Sequence, residues 1–156
     1  RPAINGYTAV SGWPAGQAYW LLFGGTGSIS LEFASRGCNK ITLLELNSIN
    51  YAYIKKVIAE LDVKSINAYK TDSFRFLKTC KQSFDLIFAD PPYDHKELKN
   101  IPDMVFEREL LSAEGILILE HPKEFDFSQH PHFYEHRKYG HVNFSFFKIA
   151  PEIWKL

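Results

Sequence analysis

Residues 19–37 read YWLLFGGTGSISLEFASRG and contain the first clear sign of the fold. An apolar run, Tyr19–Phe23, ends in Gly24-Gly25-Thr26-Gly27, as expected of a buried strand that breaks into a tight turn. Ile29 and Phe33 follow at the four-residue spacing of one helix face. The stretch therefore predicts a strand, a glycine turn and a helix, which together form the first unit of an α/β sheet.

The same alternation of strand and helix continues along the chain. Further strands are predicted at residues 41–46, 65–69, 84–89 and 115–120, with helical stretches between them, one of them capped by Asn47 or Ser48. Phe133–Tyr139 and Asn143–Ile149 alternate at period two around a turn at Gly140, which indicates an antiparallel hairpin. The pattern predicts a doubly wound, mostly parallel seven-stranded sheet with a C-terminal antiparallel hairpin.

Composition limits the classes of protein to consider. The 156 residues are 46% hydrophobic and suit one domain over residues 1–156. Eighteen basic residues balance eighteen acidic ones, which excludes a surface coated with positive charge for indiscriminate nucleic-acid binding. Cys38 and Cys80 form no metal-binding pair, and a reduced, cytoplasmic chain without a membrane segment is expected. Residues 1–18 show no periodicity, and the chain begins with Arg1, so we expect an incomplete N-terminal region.

The glycine turn and Glu45 form the first candidate binding site. Glycines at a strand-to-helix junction allow a ligand close to the backbone, near free N–H groups of the helix. Glu45 lies 20 residues beyond Gly25, where a carboxylate can accept the hydroxyl protons of a ribose. This pair does not distinguish a nicotinamide dinucleotide from another adenosine-containing cofactor, and a plain tight turn with a surface glutamate is the alternative.

The second candidate site is Asp90-Pro91-Pro92-Tyr93, directly after the apolar run Phe84–Ala89. The prolines stiffen the loop and leave its carbonyls able to accept hydrogen bonds. Asp90 follows a buried strand at the carboxyl end, where open α/β sheets bind ligands. Acceptors beside the ring of Tyr93 suit a planar base or amide that carries an exocyclic NH₂ group. The alternative is a proline-stiffened turn with an exposed aspartate.

Taken in the order in which they occur along the chain, the two candidate sites resemble those of S-adenosylmethionine-dependent amino-methyltransferases. More closely, residues 23–37, the run SFDLIFADPPY and Lys138-Tyr139-Gly140 resemble the bacterial 16S ribosomal RNA guanine-N2 methyltransferases. The opening Arg1-Pro2 is similar to a motif of that family as well. The resemblance covers about residues 20–150 and implies a Rossmann-like class I methyltransferase fold.

The resemblance also implies roles for individual residues. Phe23, Gly24, Gly25, Thr26 and Gly27 would approach the methionine part of S-adenosylmethionine, and Glu45 would hold the ribose. Asp72 would accept from the adenine amino group, with Ser73 near the ring, although Asp72 is also a suitable N-cap for the next helix.

The implied catalytic residues are Asp90, Pro91, Pro92 and Tyr93. The Asp90 carboxylate and the Pro91 carbonyl would hold the guanine amine, while Tyr93 would stack on the extruded base. The implied partner is 16S rRNA or the assembling small ribosomal subunit. We expect the protein to act as a monomer in the cytoplasm, and we expect neither a metal nor a membrane partner.

This sequence departs from the family pattern in three places. Leu21 stands where the family has an aspartate that anchors the cofactor, and residues 3–20 lack the amphipathic helix of the family. A basic N-terminal hairpin is missing as well. An adenine-N6 DNA methyltransferase and an inactive Rossmann-like RNA-binding module are therefore kept as alternatives. His130, His132, His136 and His141 match no zinc spacing, and no metal site is expected.

Overall fold

A computed structural model describes residues 18–24, 28–35, 38 and 40–151. The chain divides into two compact units, residues 1–76 and residues 77–156. The strands are β1 (Ala18–Leu22), β2 (Lys40–Leu44), β3 (Ile66–Tyr69), β4 (Phe84–Ala89), β5 (Leu111–His121), β6 (Phe133–Tyr139) and β7 (Val142–Lys148). The helices are α1 (Ser28–Ser35), α2 (Ser48–Glu60), α3 (Ser73–Thr79) and α4 (Ile101–Glu107), with a 3₁₀ turn at Leu98–Asn100 before α4.

The first unit contains three parallel strands in the order β3-β2-β1. Parallel neighbours need crossover connections, and α1 and α2 supply them between β1 and β2 and between β2 and β3. The strands bury Trp20, Leu22, Ile41, Leu43 and Leu44 almost completely. The carboxyl ends of these strands meet at one edge, as in open α/β sheets that bind ligands.

Helix α2 begins where the sequence predicts it. The Asn47 side chain accepts hydrogen bonds from the backbone N–H groups of Ile49 and Asn50, so Asn47 is the N-cap. Ile54 is the buried residue of this helix, while Ile49 and Tyr53 are exposed.

The second unit contains four strands in the order β4-β5-β7-β6. Strand β4 runs parallel to β5, whereas β5 with β7 and β7 with β6 are antiparallel. The hairpin turns at Gly140, whose φ of 61° lies in the left-handed region that glycine adopts without strain. The core of the second unit includes three phenylalanines of β7, namely Phe144, Phe146 and Phe147.

The seven predicted strands and the hairpin are present, but the sheet pairings are mixed. The described pairings β1-β2, β2-β3 and β4-β5 are parallel, whereas β5-β7 and β7-β6 are antiparallel, so the arrangement is mixed where the sequence suggested a mostly parallel sheet. In the part of the chain that the structure describes, no helix is long and apolar enough to cross a bilayer.

Candidate active site

Phe23 opens the glycine turn in a strained conformation. Its φ is 60°, a left-handed value that residues other than glycine rarely adopt. The Phe23 N–H donates to the Ser73 hydroxyl at 3.0 Å, and the Phe23 ring meets the edge of the Phe74 ring at a centroid distance of 5.2 Å. Because strained backbone persists only where neighbours fix it, these two contacts tie the end of β1 to the start of α3.

Gly24 is required by a close approach. Its N–H donates to the Leu44 carbonyl at 2.7 Å, and a Cβ at this position would lie 2.6 Å from Cδ2 of the buried Leu43. Gly24 therefore lies directly against the end of β2. Gly25, Thr26 and Gly27, the other predicted residues of this turn, lie outside the described residues.

Glu45 follows the last residue of β2 and is only 8% exposed. Its carboxylate accepts the Asn47 N–H at 2.7 Å, while its backbone bonds with Tyr69 and Thr71 at the end of β3. A buried carboxylate oriented in this way is a suitable acceptor for two vicinal hydroxyl groups of a sugar.

Asp72 and Ser73 have structural partners. Asp72 is exposed, and its Oδ1 accepts the Phe74 N–H at 3.0 Å, so this oxygen caps the first turn of α3. Ser73 is 3% exposed and uses its hydroxyl oxygen to hold Phe23. The helix-capping interpretation of Asp72 is correct for Oδ1, and Ser73 supports the glycine turn.

The structure thus brings the described candidates of the first unit to one sheet edge. Phe23 meets Ser73, Gly24 meets the end of β2, and Glu45 meets the end of β3. Leu21 lies within β1, where it pairs with Leu43 of β2, one residue before the end of the strand.

In the second unit, Asp90 directly follows β4. Asp90 is half-buried, Pro91 is buried and Pro92 is exposed. The Pro92 carbonyl accepts the His95 N–H at 3.1 Å, which closes a turn. The loop is therefore a hydrogen-bonded turn that contains both prolines, with the aspartate at the carboxyl end of a buried strand.

Tyr93 has a partner that the sequence analysis missed. Its hydroxyl donates to Oε2 of Glu120 at 3.0 Å, and Glu120 is 3% exposed near the carboxyl end of β5. Tyr93 as a whole remains 42% exposed. A tyrosine that is held at its hydroxyl and partly exposed has the features that the predicted stacking role requires. The only sequence signal for Glu120 is a charged residue that ends the apolar run Ile116–Leu119.

Arg137 and two of the four histidines bond to other groups of the second unit. Arg137 donates to both carboxylate oxygens of Glu135, and this pairing is the main reason why the pKa of Arg137 is raised. His130 bonds to Asp103 at 2.8 Å, and His132 contacts the carbonyl oxygens of Lys148 and Ile149. Within the described ranges, no three His, Cys, Asp or Glu side chains are grouped so that they could hold a metal ion.

Comparisons with known proteins agree on the fold. The model of the family described as "Conserved hypothetical protein 95" matches residues 14–148. A solved conserved hypothetical protein of Streptococcus pyogenes superposes with a TM-score of 0.77 at 23% identity, covering 86% of this chain and 87% of that one. Precorrin-6y C5,15-methyltransferase of Geobacter metallireducens superposes with a TM-score of 0.73 at 16% identity, covering 93% and 86%. These likenesses show a Rossmann-like fold of the kind that class I methyltransferases have.

A curated relative is similar in sequence. Ribosomal RNA small subunit methyltransferase D of Buchnera aphidicola subsp. Acyrthosiphon pisum is 28% identical over 103 residues, which are 65% of this chain and 54% of the relative. The chain spans about half the length of the curated relatives it matches.

Proposed function

We propose that this chain, which belongs to the family described as conserved hypothetical protein 95, methylates the exocyclic N2 amine of a guanine in small-subunit (16S) ribosomal RNA. The observation that carries the proposal is Asp90-Pro91-Pro92-Tyr93 at the carboxyl end of β4, with the exposed Tyr93 ring fixed by Glu120. The names of the similar relatives support the choice of rRNA as substrate.

The first unit offers residues that fit S-adenosylmethionine, which supplies an activated methyl group on its sulfonium. Glu45 is buried and already oriented by Asn47, so its carboxylate can accept both ribose hydroxyls without first losing conformational freedom. Gly24 keeps the turn close to β2, and Asp72 is exposed toward solvent, where it can meet an adenine amino group. These roles for the cofactor-binding residues are part of the proposal.

The second unit offers residues that fit the target amine. A guanine N2 amine is a weak nucleophile because its lone pair is delocalised into the ring. Hydrogen bonds from its N–H groups to the Asp90 carboxylate and the Pro91 carbonyl draw the nitrogen toward tetrahedral geometry and localise the lone pair. Orientation of this kind contributes up to about 7–11 kcal/mol to catalysis in well-aligned systems.

Tyr93 positions the base rather than reacting with it. A base whose amine reacts must leave the base stack of the RNA. Stacking on the Tyr93 ring would compensate for part of the stacking that is lost. Because Glu120 holds the hydroxyl, the ring is oriented before the base arrives. We infer that the enzyme acts as a monomer on 16S rRNA or on the assembling subunit, in the cytoplasm.

The test is transfer of labelled methyl groups to undermethylated small subunits, naked 16S rRNA and DNA, with mapping of the modified base. Asp90→Ala should lower turnover by orders of magnitude and leave cofactor affinity, measured by calorimetry, nearly unchanged. Asp94→Ala is the matched control, because Asp94 is an exposed aspartate of the same loop. Modified adenine in DNA would replace the proposal with the DNA methyltransferase alternative, and an absence of cofactor binding would favour an inactive module.

A further inference from the structure

A cavity of about 380 Å³ lies in the second unit, between the chain that follows β5 and the β6-β7 hairpin. Its polar lining includes Asn143, Ser145 and His136, and its apolar lining includes the rings of Phe125, Phe127 and Phe133. Asn143 and Ser145 are two residues apart on β7, so their side chains share one face of the sheet. The volume falls in the usual range of small-ligand sites, about 300–1,000 Å³.

Asn143 presents an unused donor at this cavity. The residue is 4% exposed, and its Oδ1 lies 3.0 Å from Nε2 of His136. Its side-chain nitrogen, Nδ2, is buried and has no hydrogen-bond partner among the described residues. Buried polar groups in folded proteins are nearly always paired, so an unpaired donor on a residue that lines a cavity points to an acceptor on a ligand.

Ser145 presents an acceptor beside that donor. The Ser145 hydroxyl lies 2.8 Å from Nε2 of His121, and Nδ1 of His121 lies 2.9 Å from the Pro122 carbonyl. A carbonyl oxygen only accepts, so the proton of His121 is on Nδ1 and Nε2 must accept from Ser145. Burial also lowers the pKa of His121, which keeps the ring neutral. The Ser145 hydroxyl therefore donates its hydrogen bond to His121, and its lone pairs remain able to accept from a ligand.

The rings and the rim give the shape and charge of the ligand. Phe125 is half-buried and lies nearly parallel to Phe127, with 17° between the planes and 6.0 Å between the centroids. Lys123 is exposed at the rim, together with Asp126, whose carboxylate accepts the Ser128 N–H. Aromatic walls, a donor beside an acceptor and a nearby lysine match a nucleobase with its backbone phosphate.

The cavity is distinct from the place where the Tyr93 ring would receive the target base. Glu120 and His121 are consecutive in β5, and consecutive side chains of a strand point to opposite faces. Glu120 contacts Tyr93, whereas His121 bonds to Ser145 at the cavity. A base in this cavity is therefore not the base that Tyr93 receives.

From this geometry, we propose that the cavity takes up an unpaired nucleobase of the RNA substrate, other than the base that is methylated. The Asn143 amide would donate to a ring nitrogen or carbonyl, Ser145 would accept from an N–H group, and Phe125 would stack on the ring. The inference rests on the proposed function for the identity of the RNA, but its test measures binding and does not need methyl transfer.

Binding is measured with the full chain and short fluorescent single-stranded oligonucleotides that tile the small-subunit rRNA. Phe125→Ala should weaken the tightest complex by about five- to 150-fold, which corresponds to the loss of one stacked base. Lys123→Ala should weaken it less and reduce its salt dependence. Lys99→Ala is the control, because Lys99 is an exposed lysine of the same unit that does not line the cavity.

A second measurement reports on Asn143 directly. In ¹⁵N-labelled protein, the side-chain amide signal of Asn143, identified by its absence in Asn143→Asp, should shift when the RNA is added. Asn143→Asp keeps an acceptor for His136 but removes the donor and adds a charge, so this variant serves only to assign the signal. Unchanged RNA affinity of Phe125→Ala together with an unshifted Asn143 signal would overturn the inference. If the unmodified chain binds the RNA and the Asn143 signal shifts, but no methyl group is transferred, that result would count against the proposed function alone.

Discussion

The hydrogen bond between Tyr93 and Glu120 makes a prediction that differs from one based on the sequence alone. If Tyr93 served only as a ring, Tyr93→Phe would be nearly silent. The structure places the hydroxyl 3.0 Å from a carboxylate that is 3% exposed, so removal of the hydroxyl takes a donor from a buried charge. Hydrogen bonds to charged groups contribute about 1.5–3 kcal/mol, and the 42% exposure of Tyr93 lets water replace part of this.

We therefore expect Tyr93→Phe to lower the free energy of unfolding by about 1–2 kcal/mol in urea denaturation followed by tryptophan fluorescence. Tyr53→Phe, at a tyrosine that is 53% exposed, should change it by less than about 0.5 kcal/mol. On rRNA, Tyr93→Phe should lower kcat/KM because a less fixed ring loses more conformational freedom when the base stacks, and Tyr93→Ala should lower it further.

A double-mutant cycle with Glu120→Met isolates the pair from the other contacts of Glu120. When both partners become apolar, the unpaired buried group disappears, so the double variant should be more stable than the sum of the single changes predicts, by about 1 kcal/mol or more. Strict additivity of the two substitutions would refute the view that the hydroxyl and the carboxylate stabilise each other.

Three further predictions concern other parts of the two units. Glu45→Gln keeps an acceptor for the Asn47 N–H but removes the charge, so we expect S-adenosylmethionine affinity to fall by about tenfold in calorimetry, with Glu60→Gln as the exposed control. Gly24→Ala should destabilise by about 1–3 kcal/mol in urea because its Cβ would meet the side chain of Leu43, which is 1% exposed and must shift within a packed core. Burial lowers the pKa of His121 below 6.5, so the unfolded chain binds this proton at a higher pH than the folded chain. The free energy of unfolding should therefore fall as the pH drops below about 6.5, and His121→Gln should make that fall smaller.

The sequence predicted the elements whose signals are local. Strand β4 has the predicted bounds because it is an apolar run that only Asp85 interrupts, and Asn47 caps α2 because capping depends on the next three residues. The sequence also predicts a helical stretch around Glu97–Leu110, and the structure divides it into a 3₁₀ turn, Leu98–Asn100, and helix α4, Ile101–Glu107. Pro102 explains this, since proline lacks the N–H that a continuous helix needs and is tolerated only in its first turn.

Contacts between distant residues could not be predicted in this way. Tyr93 and Glu120 are 27 positions apart, and Phe23 and Ser73 are 50 positions apart. No periodicity relates such pairs, because they depend on which strand ends the fold brings together. The polar stretch Ser112–Glu114 has no strand pattern, yet it belongs to β5, whose pairing with β4 is irregular between Phe84 and Leu86.

The same contacts change how the candidate residues should be tested. Three residues chosen for contact with a ligand also hold the protein itself. Glu45 accepts the Asn47 N–H, Ser73 fixes the left-handed Phe23, and Tyr93 satisfies Glu120. Alanine at any of them removes a ligand contact and loosens the loop at once, so a loss of activity would not separate the two causes. Substitutions that keep the structural bond and change only the ligand-facing chemistry, such as Glu45→Gln, separate them, because a purely structural role predicts no change in affinity.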